Sequence, residues 1–113
     1  MAETTNNSEV RTVVLAGHVR MGDVVDKLRH DIDTHLADGH PRMIVNMTKV
    51  RSLDSSGIGV LVRSLSLAKQ KGGSIKLADV PPGVAQTLQI TGIWRLFEVF
   101  ESDEKALASF GGS

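Results

Sequence analysis

The residues best equipped for chemistry stand in one run, Asp54-Ser55-Ser56-Gly57, followed by Ile58 and Gly59. Two hydroxyls beside a carboxylate could supply a nucleophile, a phosphate cradle, an acceptor for a phosphoryl group, or a helix cap. A serine nucleophile needs a base and a group that orients it. The Gly-x-Ser-x-Gly elbow that exposes such a serine is absent. So is the phosphate loop G-x-x-x-x-G-K-[ST], and Gly57-Ile58-Gly59 lacks the third glycine of a dinucleotide loop. These absences point away from an enzyme and from a resident cofactor. The plainest reading is a cap: Asp54, Ser55 or Ser56 would accept the unpaired N–H groups of a helix start. Gly57 and Gly59 would keep that first turn thin, so that another molecule can approach the backbone.

Other reactive side chains form weaker patterns. His18, His30, His35 and His40 do not fall at i, i+4, and the chain has no cysteine, so no metal site is expected. Lys69, Lys71 and Lys76 read as a solvated edge. Ile90, Ile93, Trp94, Leu96 and Phe97 read as packing for the last helix, or else as an exposed contact patch. Met43 and Met47 read as core.

The elements that must position the run follow from periodicity. Val10 to Ala16 reads as a strand ended by Gly17. Gly22 to Ala37 reads as a helix, with Val25, Leu28, Ile32 and Leu36 on one face and Asp23 and Asp26 in the first turn. Arg42 to Met47 is a second strand, and Thr48 to Leu53 a connection. The Asp54 run then opens a helix reaching about Lys71, with Ile58, Leu61, Val62, Leu65 and Ala68 as its buried stripe. After Gly72-Gly73, Ser74 to Ala78 is a third strand. Pro81-Pro82 can open a third helix, with Val84, Leu88 and Thr91 inward. Leu96 to Phe100 is a short strand, and Ser102 caps a last helix whose inner face is Ala106, Leu107 and Phe110. Strands alternating with helices define an α/β domain.

The whole chain has 113 residues, enough for one core. Residues 1–9 read as a flexible polar tail and 10–113 as the domain. Thirteen basic residues balance thirteen acidic ones, so nothing advertises a nucleic-acid partner. No apolar run is long enough to span a membrane, and the polar N-terminus does not read as a signal peptide. Cytoplasm is the expected location.

The run Val45 to Val62, with Leu53-Asp54-Ser55-Ser56-Gly57-Ile58-Gly59-Val60-Leu61 at its centre, resembles the STAS domain of bacterial anti-sigma factor antagonists. The likeness continues through Gly72-Gly73-Ser74-Ile75-Lys76-Leu77, Leu88-Gln89-Ile90-Thr91-Gly92-Ile93 and the Glu104 to Phe110 helix. It implies a STAS-like single domain, with a four- to five-stranded mixed sheet and about four helices. It also implies that Ser55 is a phosphoacceptor, with Asp54, Ser56, Gly57, Ile58 and Gly59 as the partner-binding loop. Unphosphorylated protein would bind an anti-sigma factor serine kinase that brings its own ATP, and so release a sigma factor. Phosphorylation of Ser55 would break that complex, and a serine phosphatase would reset it. The protein itself would be a monomer. Alternatives are a STAS scaffold subunit of a stress-signalling assembly, a target of a response-regulator phosphatase, or an accessory domain for transport. Where the family often carries a Gly-Glu-Leu-Asp-like segment, this chain has Gly17-His18-Val19-Arg20-Met21-Gly22-Asp23.

Overall fold

In the computed structural model, which describes residues 10–111, four strands alternate with four helices. They run β1 (Val10–Val19), α1 (Asp23–Ala37), β2 (Arg42–Leu53), α2 (Ser55–Gln70), β3 (Ser74–Ala78), α3 (Pro82–Ile90), β4 (Val99–Phe100) and α4 (Asp103–Ser109). A single 3₁₀ turn, Trp94–Leu96, precedes β4. The tail expected over residues 1–9 lies outside the described residues.

The sheet order is β1-β2-β3-β4, and every pairing is parallel. Where the sequence suggests a mixed sheet, the described strands all pair in parallel: the helical connections between them carry the chain back to the same end of the sheet. β2 is central and buried on both faces from Met43 to Met47. Met43, Val45 and Met47 join the main core with Val25, Leu28, Ile32, Leu61, Leu65, Val84 and Leu88. Ile44 faces a smaller cluster with Val10, Ala78 and Ala106, against which Leu107, Phe100 and Phe110 pack.

Two strands run further than their composition suggests. β1 does not stop at Gly17 but reaches Val19, and residues 48–53 belong to β2 rather than to a connection. The pairing slips twice, between Val14 and Ala16 and between Gly17 and His18. At each slip β2 spends one residue more than β1, so Val50 and Leu53 still turn inward. Gly17, at φ 77°, sits at the second slip, where a positive φ is cheap only for glycine. This bulged extension carries both strands beyond the regular ladder and brings Val19 against the start of α2.

The C-terminal half brings three smaller corrections. The strand expected at 96–100 shrinks to Val99–Phe100, because Leu96 N donates to Ile93 O and holds the preceding residues in a turn. Thr91 is exposed, its hydroxyl donating to the carbonyls of Thr87 and Leu88 at the helix end. Lys76, read as solvated, is buried at 5 % exposure. Its Nζ donates to Ser109 Oγ at 2.8 Å and stands 4.1 Å from the Phe110 ring centre. It faces α4, and that short helix covers it.

Candidate functional site at the start of helix α2

The Asp54 run lies where β2 ends and α2 begins. Asp54 is the N-cap, in extended conformation, and the helix starts at Ser55. Three donors converge on its carboxylate. Oδ1 accepts the Ser56 hydroxyl at 2.6 Å and Gly57 N at 3.0 Å. Oδ2 accepts Met21 N, from the β1–α1 connection, at 3.1 Å. The backbone is pinned as well, since Asp54 N donates to Val19 O at 3.0 Å. The Ser56 hydroxyl, followed by the Gly57 amide, holds the Asp54 carboxyl below the ordinary carboxylate range, so it is an anion at neutral pH.

Three serines share this segment, and only one hydroxyl is at liberty. Ser52 Oγ is paired with His18 Nδ1 at 2.8 Å. Ser56 Oγ is spent on Asp54. Ser55 is exposed and its hydroxyl bonds to nothing among the described residues. The two glycines differ in kind. A Cβ on Gly57 would stand 2.8 Å from both Leu53 Cδ1 and Val19 Cγ1, whereas one on Gly59 would meet nothing within 4 Å. Gly57 therefore serves the packing of the helix start, and Ile58 points into the core. One turn after Ser55, Gly59 is exposed on the same helix and leaves its backbone bare.

Beside this face Met21, whose amide donates to Asp54, is 81 % exposed. Sequence periodicity gave no sign of that exposed apolar side chain, nor of the bond that ties it to Asp54. Arg20, next to Met21, is exposed too. The four histidines do not gather: among the described residues no three His, Cys, Asp or Glu are placed to hold a metal. No described helix is long and apolar enough to cross a membrane.

The described strands form a parallel sheet with helices between them, and the capped, serine-bearing start of α2 follows β2. The STAS domain family model matches residues 3–106, and the chain belongs to that family. The anti-sigma F factor antagonist of Paenibacillus polymyxa is 29 % identical over 65 residues, which cover 58 % of this chain and 56 % of that protein. The anti-sigma-B factor antagonist of Staphylococcus aureus is 26 % identical over 102 residues, covering 90 % of this chain and 94 % of the other. The fold alone is shared with two structures of SpoIIAA: the anti-sigma factor antagonist SpoIIAA in its unphosphorylated form, and the Bacillus cell fate determinant SpoIIAA in its phosphorylated form. The unphosphorylated form superposes with a TM-score of 0.83 at 22 % identity, over 98 % of this chain and 95 % of that one. For the phosphorylated form the TM-score is 0.74 at 21 % identity, over 96 % of each chain.

Proposed function

We propose that this chain is an anti-sigma factor antagonist, a non-enzymatic cytoplasmic regulator switched by phosphorylation of Ser55. The observation that carries the reading is the free, exposed hydroxyl of Ser55 between two serines whose hydroxyls are already bonded. Unphosphorylated, the Ser55 hydroxyl, the bare turn at Gly59 and the exposed Met21 form the surface that an anti-sigma factor serine kinase grips. That partner binds the ATP. Gripping it frees the sigma factor, and a serine phosphatase restores the surface after phosphorylation.

The electrostatics suit a switch that spares the fold. A phosphate adds about −1.5 to −2 charge. The helix start already carries an anion, because the Asp54 carboxylate takes the amides of Gly57 and Met21. A second anion on Ser55 therefore gains little from the helix dipole and turns its charge outward. A partner surface that fits the neutral hydroxyl then faces two adjacent negative groups. A loss of about 2.8 kcal/mol in binding empties a complex a hundredfold.

Cleavage after Arg51 and Arg63 yields one tryptic peptide, residues 52–63, that holds Ser52, Ser55 and Ser56. Mass spectrometry of the protein phosphorylated in its own cells should place the phosphate on Ser55. Phosphate on Ser52 or Ser56 instead, or none under any growth condition, would refute the assignment.

A further inference from the structure

A second surface lies at the carboxyl ends of the strands. Thr48, Asp79, Val80, Pro81, Trp94, Val99, Phe100 and Glu101 line a groove of about 600 Å³. Crevices outside the carboxyl ends of parallel strands are where α/β sheets bind. The walls are apolar and aromatic, and the only charged groups lining it are the carboxylates of Asp79 and Glu101. Glu101 is met by Lys105 at 2.7 Å. Asp79 has no cation. Its Oδ2 accepts only the Asn46 amide, at 3.2 Å, and the same Asn46 nitrogen donates to Asp103 Oδ1 at 2.7 Å. Two carboxylates thus lean on one neutral amide that is 9 % exposed, with no positive group beside either among the described residues. Asp79 is held there at φ 56°, the one non-glycine residue described with a positive φ, its amide donating to Phe100 O at 3.0 Å.

We propose that this groove docks a segment of a partner protein that places an arginine or lysine beside an apolar side chain. The cation would reach Asp79 and lie over the Trp94 ring, where carboxylate and ring face attract it together; the Phe100 ring already faces Lys76 Nζ at 5.7 Å. The apolar neighbour would fill the space against Val80, Pro81 and Val99. A small organic cation fits less well, because small ligands are held by enclosing most of their surface and this groove is open along one side. The inference is independent of Ser55.

Trp94 is the only tryptophan in the chain and lines this groove, so its fluorescence reports on binding there, and the Asp79, Val80 and Phe100 resonances separate that from binding on its other side. The probe is the capped tripeptide Leu-Arg-Leu, with Leu-Glu-Leu as its counterpart, titrated into the full chain. Leu-Arg-Leu should shift the Trp94 emission with a Kd on the order of 1 mM and move the amide resonances of Asp79, Val80 and Phe100. Asp79→Asn keeps an acceptor for Asn46 and tolerates a positive φ, and should weaken binding about tenfold. Should that variant not fold, raising the salt with wild type must weaken binding instead. Equal responses to both tripeptides, no response, or insensitivity to both Asp79→Asn and salt would overturn the proposal. So would a Trp94 spectrum that changes on dilution without peptide, which would assign the groove to a second copy of the chain.

Discussion

Replacing each glycine of α2 by alanine should move stability in opposite directions. At Gly57 the new methyl would stand 2.8 Å from Leu53 Cδ1 and 2.8 Å from Val19 Cγ1. Both neighbours are buried, Val19 completely, so neither can swing into solvent. Overpacking of this kind costs about 1–3 kcal/mol. The gain in helix propensity returns about 0.5–1 kcal/mol. The net loss is about 1–2 kcal/mol, which lowers Tm by about 4–8 °C in a domain of this size. At Gly59 nothing lies within 4 Å, so only the propensity gain remains. Gly59→Ala should raise Tm by about 2–4 °C. Thermal unfolding followed by circular dichroism measures both. A Gly57→Ala variant as stable as wild type, or a Gly59→Ala variant that loses stability, would refute the packing argument. Binding should separate the pair a second time. Gly59→Ala, though the more stable, should grip the kinase partner less tightly because its methyl stands on the bare turn.

Other variants test other parts of the account. Asp54 has its carboxyl pKa lowered in the fold, so its contribution is present above the unfolded value near 3.8 and is lost as pH falls through the folded one. Urea midpoints of wild type and Asp54→Asn should therefore differ at neutral pH and converge in acid; a constant gap would contradict this. His35 is held below its ordinary value of 6.5, first by burial and then by Arg11. A lowered histidine favours the fold while neutral, so stability should fall as pH drops below about 6.5, and His35→Gln should flatten that slope. Lys76→Ala should cost about 2 kcal/mol through lost packing under α4, whereas Lys76→Met should keep most of it; equal losses would mean that the charge, not the stem, holds the helix.

The alternation of strands and helices was legible because β-branched runs and the 25-28-32-36 spacing in α1 follow the two backbone periods. The capping run was legible for the same local reason, since Asp, Ser and Gly announce a helix start within four residues. What escaped was set by distant partners. Nothing near Thr48 tells that β2 goes on to Leu53, because β1 supplies the ladder from thirty residues away. Lys76 is charged, yet α4 folds over it. Of the apolar group near Trp94, Phe97 is buried and Ile93 and Trp94 pack on the core, while Ile90 is 76 % exposed. At the site, the run announced a cap but not which of Asp54, Ser55 and Ser56 forms it, nor which serine stays free. That depended on His18 reaching Ser52 across the strand pair.

The central claim is tested most directly by capture from native lysate with wild type, Ser55→Asp and Ser56→Asp as baits. The account predicts that wild type captures an ATP-binding serine kinase with anti-sigma activity and that Ser55→Asp loses it. Ser56→Asp, whose side chain faces the cap rather than the partner, should retain more of it. If Ser55→Asp captures the same kinase as wild type, or if no bait captures a kinase, Ser55 is a helix residue without a switching role and the account fails.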